Sequence, residues 1–527
     1  MKRYDLIVVG AGPAGLSAAI EGAKRGLKTV IFDENEKPGG QLFKQIHKFF
    51  GSKEHRAKIR GFKIGEELLA EAAGLGVEVV LNAAVIGLYQ EKEVVVRIGE
   101  AVRHYKGDAV IVATGATENA VYFEGWDLPG VIGAGAAQTM MNLHGVRPGE
   151  KVLMLGAGNV GLVVSFQLLQ AGCEVVAVAD AASAVGGYGV HAAKVARTGV
   201  SFYLSHTIIK AEGGDRVNAV TIAEVDERFQ FIPGTEKRFE VDTVCLAVGL
   251  SPMCQLLKMA GCRVLEIPAK GGQVPLVGTR GETSADGIFA AGDVSGIEEA
   301  SSAMIEGRIA GIAAAEYLGY AVNAELEAAI AENEAALSEL RQGMFAPGRR
   351  GDMVEFTDEG IHVSVSLLKK GYVNDEEIAR FTSASETPGF RPIIECTQNI
   401  PCNPCRDVCP RNCIKVESIT ALPRLNEYNA CSGCGLCVAS CPGQAIFLVN
   451  GDVGGGFANV TLPYEFLPLP KEGDRGVALG RDGQVVCEAW VSKAQISSAF
   501  DKTNLLTIKV PAEMAGKARF FKSKGAV

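Results

Sequence analysis

The chain has 527 residues, of which 47% are hydrophobic and 21% charged, and a formal net charge of −9. That length accommodates about three or four domains with cores of their own, and the composition is that of an ordinary globular protein. The acidic balance excludes a large phosphate-binding face for nucleic acid, and no apolar run approaches the ~20 residues that span a bilayer.

Tyr4-Asp-Leu-Ile-Val-Val predicts a strand that runs straight into Gly10-Ala-Gly12-Pro13-Ala14-Gly15. A helix follows with Leu16, Ala19, Ile20 and Ala23 on one face, then a second strand, Thr29-Val-Ile-Phe, that ends at Asp33-Glu34. Each part has a physical task. Gly10 makes the tight turn, Gly12 lets the backbone reach a pyrophosphate, and Gly15 lets helix and strand pack closely. The helix N-terminus faces the phosphates, and a carboxylate about 20 residues on takes the ribose hydroxyls. Asp33 ends the strand directly and is expected in that place, with Glu34 in reserve. The strand begins so near Met1 that no targeting segment is expected, and a reducing cytoplasm is the expected compartment.

The same grammar recurs. Lys151-Val-Leu-Met-Leu leads into Gly156-Ala-Gly158-Asn159-Val160-Gly161, a helix through Leu169, and a strand ending at Asp180. Asp180 would repel a 2′-phosphate and no arginine follows it, which favours NAD over NADP. A vestigial site, or one that holds ATP, stays open.

A third signature is Thr283-Ser-Ala-Asp-Gly-Ile-Phe-Ala-Ala-Gly292-Asp293. It resembles the second FAD motif of two-dinucleotide-domain flavoproteins, the thioredoxin- and glutathione-reductase class. In that class the acid matching Asp293 holds the ribityl chain. Ala113-Thr114-Gly115 and Ala247-Val-Gly249 resemble the crossovers into and out of an inserted NAD domain, and Gly39-Gly40-Gln41-Leu42 the turn beneath the flavin ring. The resemblance implies FAD contacts at Gly10, Gly12, Pro13, Ala14, Gly15, Asp33, Glu34, Gly40, Gln41, Val85, Thr114, Gly115, Gly292 and Asp293. A helix from about Glu299 to Leu318 would aim its N-terminus at the flavin, where the dipole favours negative charge. Residues 323–345 read as a further helix, and 346–390 as short strands such as His362-Val-Ser-Val-Ser with a charged stretch.

Eight of the 14 cysteines then fall in two runs. The first is Cys396-x5-Cys402-x2-Cys405-x3-Cys409-Pro410, stretched at one gap, and the second Cys431-x2-Cys434-x2-Cys437-x3-Cys441-Pro442. Two such runs, each closed by Cys-Pro, fit a pair of 4Fe–4S clusters in which the fourth cysteine of each run reaches the other cluster. Cys396, Cys402, Cys405 and Cys441 are therefore expected on one cluster, and Cys431, Cys434, Cys437 and Cys409 on the other. Zinc would need only four tetrahedral ligands and explains neither the eight positions nor the prolines. Cys413 falls where the repeat has Ala445, so it reads as a packed thiol. Past Gly456 the chain reads as a small β module to about Val510.

Gly39-Gly-Gln, Ala113-Thr-Gly-Ala-Thr-Glu118, Leu128-Pro-Gly-Val-Ile-Gly-Ala-Gly135 and Gly186-Gly-Tyr-Gly189 sharpen the likeness. They resemble the FAD/NAD-type subunits of multi-subunit amine dehydrogenases. That group includes hydrogen cyanide synthase, opine oxidases, dye-linked proline and hydroxyproline dehydrogenases, and heterotetrameric sarcosine oxidase. The similarity covers about residues 1 to 320 and then the cysteine-rich segment. The two ferredoxin runs depart from members that carry a single smaller cysteine motif.

The expected fold is α/β: a Rossmann-like FAD-binding domain (1–115 and 244–322) with an inserted NAD-binding-like domain (116–243). A connector (323–390), a ferredoxin-like α+β iron–sulfur module (391–452) and a small β module (453–527) follow. The expected function is a flavin and iron–sulfur oxidoreductase subunit, with FAD, two 4Fe–4S clusters and NAD or a structural ATP. It would relay electrons between a second flavoprotein, an amine or amino-acid dehydrogenase, and NAD or a carrier such as ferredoxin. A self-contained NADH:ferredoxin-type oxidoreductase and a non-catalytic nucleotide-binding scaffold are the alternatives. No cysteine precedes Cys173, so the dithiol that a disulfide reductase needs beside its flavin is absent. No catalytic side chain is legible.

Overall fold

The computed structural model describes residues 1–320, 324–343, 364–381, 389–426, 431–451 and 453–524. It divides into two compact units, Met1–Asn119 with Gly249–Val354, and Ala120–Val248 with Glu355–Val527.

The first unit is built on a parallel sheet. Lys2–Val9 lies between Thr29–Phe32 and Ala101–Val112, and Glu78–Val80 extends the edge beyond Thr29–Phe32. Ile288–Ala290 adds in parallel to Ala101–Val112, so the chain returns to this sheet after the insertion. Glu93–Ile98 and Ala83–Leu88 continue it antiparallel. Leu6, Ile7 and Val8 are wholly buried, which is why this strand reads as an unbroken apolar run rather than an alternating one.

Helices Pro13–Lys24 and Ala300–Tyr317 meet almost backbone to backbone. A Cβ built on Gly307 would stand 2.1 Å from the Ala14 carbonyl oxygen, and one on Gly311 2.3 Å from that of Ala18. The expected helix at 323–345 is Ala324–Leu340, which buries Leu326, Ile330 and Leu337 against Ile305, Ile309 and Ile312.

The second unit opens with a five-stranded parallel sheet in the order Ser201–Leu204, Glu174–Asp180, Lys151–Leu155, Thr243–Leu246, Val131–Gly133. An antiparallel sheet of His206–Gly213, Val217–Glu224 and Lys237–Phe239 lies within the same insertion. The inserted fold runs a few residues past the expected end at 243. Thr243–Leu246 is fully buried between two parallel neighbours of this sheet.

His362 and Val363, the start of the expected strand His362-Val-Ser-Val-Ser, lie outside the described residues. From Val365 the chain is helical instead of extended. The Ser364 hydroxyl accepts from the Leu367 N–H and caps Val365–Lys370, and Gly371 in the left-handed region ends it.

Farther on, seven antiparallel strands form one sheet in the order Phe390–Ile394, Ile446–Asn450, Phe457–Tyr464, Asn504–Pro511, Val485–Gln495, Arg475–Leu479, Phe520–Ser523. Both cysteine runs sit in the connection between its first two strands, with the short helices Pro404–Asp407 and Leu436–Ser440. The sheet therefore spans the cysteine segment and the C-terminal strands alike, and its last strand lies beyond Val510. The architecture is two Rossmann-like folds followed by an α+β cysteine module and a C-terminal β sheet. Among the described residues no helix is long and apolar enough to cross a membrane.

Candidate cofactor sites

In the first loop, Gly10 has φ +101, and its Cβ would fall 2.4 Å from the Ala113 carbonyl oxygen; one on Gly15 would fall 1.8 Å from that of Gly10. Gly12 differs: a Cβ there meets nothing within 4 Å. Its free space lies at the N-terminus of Pro13–Lys24, where a phosphate would sit. Gly39 donates its N–H to the Ala11 carbonyl at 2.8 Å, and a Cβ on Gly40 would come 2.9 Å from Gly12 Cα, so the Gly-Gly turn passes over the loop. Asp33 is 6% exposed; its Oδ2 accepts from Ala11 N at 2.6 Å and its Oδ1 from Asn35 N and Nδ2, both at 2.8 Å. A carboxylate has about four acceptor sites, so with three donors on it room for one ribose hydroxyl remains. Glu34 and Gln41 are exposed, and Val85 is half-buried opposite Val96.

The third signature closes on this loop. A Cβ on Gly292 would touch Ala14 Cβ at 2.9 Å, which sets Gly292 and Asp293 beside the first glycine loop. The Thr114 hydroxyl donates to the Met253 carbonyl at 3.0 Å, and Gly115 accepts from Met253 N. Asp293 Oδ1 accepts from Glu298 N at 3.2 Å. Gly10, Gly12, Asp33, Gly40, Gly292 and Asp293 thus surround one open cradle whose chemistry fits an FAD pyrophosphate and ribityl chain.

Sequence reasoning missed what holds this cradle from below. Glu306 accepts from Gly292 N at 2.8 Å and from Arg341, whose guanidinium also pairs with Glu298 at 2.7 Å. Burial, then the nearby charge of Glu298, pushes the Glu306 carboxyl up to about 7, against the pull of Arg341 and Gly292 N–H. Its folded pKa lies above its unfolded one, so the folded state holds a proton that the unfolded chain has already lost. Stability should therefore fall as pH rises through the window from the ordinary carboxylate value to about 7. Glu306→Gln keeps the acceptor for Gly292 and removes the titration. Urea unfolding at about pH 5 and about pH 8 should show that fall shrinking by up to about 3 kcal/mol in the variant. An unchanged difference would contradict the assignment. On the turn above, Lys44 is also out of reach of sequence patterns; burial lowers its pKa and the charge of Glu118 raises it.

The second loop repeats the first feature by feature. A Cβ on Gly156 (φ +116) would lie 2.3 Å from the Ala247 carbonyl oxygen and one on Gly161 2.0 Å from that of Gly156, while Gly158 faces open space. Asp180 Oδ2 accepts from Ala157 N at 2.6 Å and its Oδ1 from Ala182 N at 2.8 Å, as Asp33 does with Ala11 and Asn35. Gly186 and Gly187 donate to the Ala157 carbonyl at 3.2 and 3.0 Å, a second Gly-Gly turn over a second loop. Asn159 Oδ1 accepts from Tyr188 N at 2.7 Å, and Val160 is 40% exposed.

The cysteines fall into two neighbourhoods. Cys409, Cys431, Cys434 and Cys437 line one small pocket together with Arg411 and Cys413. Cys396 and Cys405 are both raised by burial and by the charge of Cys441, Cys396 to about 12. Cys402 precedes Cys405 by one turn of chain, its N–H donating to the Ile419 carbonyl at 2.8 Å. The repeat extends to the backbone hydrogen bonds. Asn412 and Gln444 both take φ of 51°, and the next N–H donates to a cysteine sulfur: Cys413 N to Cys409 Sγ at 3.2 Å, Ala445 N to Cys441 Sγ at 3.4 Å. Gly433 N does the same for Cys431 Sγ at 3.4 Å. Such N–H···S bonds suit thiolates of a cluster. Among the described residues no group of three His, Cys, Asp or Glu side chains is placed to hold a metal ion. Cys413 is buried beside Cys409.

The chain is similar to an opine oxidase subunit of Rhizobium meliloti, 31% identical over 60% of this chain and 63% of the relative. It thus spans less than two thirds of that relative's length. It is also similar to the hydrogen cyanide synthase subunit HcnB of Pseudomonas protegens, 27% identical over 64% of this chain and 73% of the relative. Among solved structures, L-proline dehydrogenase of P. horikoshii shares the fold, with a TM-score of 0.50 and 22% identity over 64% of this chain and 59% of that one. The family model described as pyridine nucleotide-disulphide oxidoreductase matches residues 4–307, more than half of the sequence. With both dinucleotide loops and the third signature inside that match, the chain belongs to the pyridine nucleotide-disulphide oxidoreductase family and is an FAD-dependent oxidoreductase.

Proposed function

We propose that the chain is the electron-relaying subunit of an amine or amino-acid dehydrogenase complex, acting on electrons from a proline-, opine- or sarcosine-like substrate oxidised by a second flavoprotein. The reading is supported by the first glycine loop with its open space at Gly12, by Cys409 of the first run lining one pocket with Cys431, Cys434 and Cys437 of the second, and by the charge of Cys441 reaching Cys396 and Cys405. The outer fold (1–115 and 244–322) would hold FAD through Gly12, Asp33, Gly40 and Asp293. Cys396, Cys402, Cys405 and Cys441 would hold one 4Fe–4S cluster, and Cys409, Cys431, Cys434 and Cys437 the other. Bound together, a flavin and two clusters supply exchange between electron pairs and single electrons. The chain's own part is to fix their places: the glycines admit the pyrophosphate, Glu306 and Arg341 steady the Gly292–Asp293 turn, and backbone N–H groups steady the sulfurs.

The relatives' names, each that of a subunit in a larger enzyme, support a partner, and the missing dithiol argues against thiol reduction. The four cysteines of the two dinucleotide folds, Cys173, Cys245, Cys254 and Cys262, are buried and form no disulfide. Anaerobic purification should bring down a second flavoprotein with this chain; recovery of the chain by itself, with full NADH:ferredoxin-type activity, would favour the self-contained alternative.

The second loop is where NAD would bind. NADH should then reduce the flavin anaerobically and NADPH poorly. Asp180→Ala with a nearby arginine added should narrow that preference, because it removes a repulsion and supplies a phosphate partner. If neither nucleotide bleaches the flavin while an amine substrate on the partner does, the second site is vestigial or holds ATP.

A further inference from the structure

The junction between the inserted dinucleotide fold and the cysteine module gathers three buried guanidiniums, one of which has no carboxylate in ion-pair contact among the described residues. Arg197 caps the helix Gly189–Ala196 and is 5% exposed. Its guanidinium donates only to neutral oxygens of the cysteine module, the Gln444 carbonyl at 2.9 Å and the Gln444 side-chain oxygen at 3.1 Å. Among the described residues no carboxylate stands within ion-pair distance of it. Two more guanidiniums lie nearby: Arg519, 1% exposed, and Arg481, 8% exposed. Both converge on one buried carboxylate, Glu395, at 2.5 and 2.6 Å, and Arg481 also reaches the exposed Asp375 at 2.5 Å. Arg197 and Arg519 both lie over the Phe447 ring, 5.4 and 4.9 Å from its centre.

Three buried guanidiniums thus share one buried carboxylate. A charge removed from water without a counter-charge is costly, and buried charges are normally paired. The half-buried Glu465 adds a weaker charge at Arg197, and the other source of negative charge nearby is sulfur. Glu395 precedes Cys396 in the chain, Arg197 is held by Gln444, three residues past Cys441, and the charges of Glu395 and Cys441 are the ones that most stabilise the Arg197 cation. Burial still lowers that guanidinium to about 10.

We infer that Arg197, backed by Arg519 and Arg481 on Glu395, is the built-in counter-charge of the centre on Cys396, Cys402, Cys405 and Cys441, and holds that centre at the higher reduction potential of the two. The inference rests on the cluster reading above and adds a direction to it. A fixed cation near a centre that gains negative charge on reduction favours the reduced form. The other quartet, Cys409, Cys431, Cys434 and Cys437, lines a pocket whose one arginine, Arg411, is exposed and screened by water. Electrons distributed between the two centres would therefore collect on the one against the inserted dinucleotide fold, whose helix supplies Arg197. Arg197 is a positioning residue in this sense, since it acts through the sulfurs.

The test is an anaerobic redox titration of the full chain followed by electron paramagnetic resonance, with iron and sulfide measured on each sample. Arg197→Gln should move the midpoint of one centre to more negative potential and leave the other in place, and Arg197→Lys should return most of the shift. Full iron with both midpoints unchanged in Arg197→Gln overturns the inference while leaving the cluster reading intact. Wild-type protein purified without iron overturns the reading and the inference together. If Arg197→Gln folds but loses about half of its iron, Arg197→Lys decides: retention supports a charge role, and equal loss shows that only the Gln444 hydrogen bonds matter, which overturns it.

Discussion

Cys434→Ser is expected to cost the chain about half of its iron and acid-labile sulfide, and Cys413→Ser to cost none. Two four-thiolate clusters hold about eight irons, and loss of one ligand from the cube at Cys434 empties or degrades that cube only. Cys434 is exposed and lines the pocket with Cys409, Cys431 and Cys437, so a serine there removes a ligand without disturbing a core. Cys413 is buried beside the same pocket, but its repeat mate is Ala445, and what its position contributes to Cys409 is its backbone N–H, which serine retains. Double variants test the cross-run assignment. Cys409→Ser with Cys434→Ser should lose no more iron than either single change, because both strike one cluster. Cys409→Ser with Cys402→Ser should lose nearly all of it, because they strike two. The opposite pattern would mean that each run builds its own cluster. Anaerobic protein with about four irons, or with zinc, would sink the two-cluster reading at the outset.

The parts of the molecule legible in its sequence are those where backbone contact dictates the residue. Gly10, Gly15, Gly156 and Gly161 each face a carbonyl that any Cβ would strike, so the pattern of the loops follows from sterics, and both loops were readable. The cysteine runs were readable because ligand spacing is local. Pairing between distant strands was not. Thr243–Leu246 is an apolar run that suits either Rossmann sheet, and only its register between Lys151–Leu155 and Val131–Gly133 assigns it. The C-terminal strands likewise give no local sign that Phe457–Tyr464 joins Ile446–Asn450 and so merges with the cysteine module's sheet. His362-Val-Ser-Val-Ser alternates like a strand, yet Ser364 caps a helix, because a serine followed by Leu367 and Leu368 satisfies both patterns until packing of Leu367 against Val373 and Ile378 chooses. Glu306 and Arg197 were invisible for a different reason. Their roles come from burial and from the absence or presence of a counter-charge, which no spacing encodes.

Gly12→Val and Gly307→Val should fail in different ways, and the contrast separates cofactor binding from folding. A valine at Gly12 meets open space in the folded chain, so the protein should fold. Its side chain would occupy the place reserved for the pyrophosphate at the helix N-terminus, and flavin content should drop to near zero. A valine at Gly307 would press its Cβ to 2.1 Å from the Ala14 carbonyl oxygen, between two helix backbones with no flexible side chain to give way. The helices must then separate, at a cost of at least about 1–3 kcal/mol from overpacking and more where Ala303, Met304 and Ala310 lose their buried neighbours. Asp293→Ala sits between the two. It leaves the fold intact and removes a partner for a ribityl hydroxyl, an unmet desolvation cost of about 1–3 kcal/mol, which weakens flavin affinity by about ten- to hundredfold. Absorbance ratios for flavin and circular dichroism melts on the three variants give the comparison. Gly12→Val protein that keeps its flavin, or Asp293→Ala that binds it as tightly as the parent, would place FAD somewhere other than the first cradle.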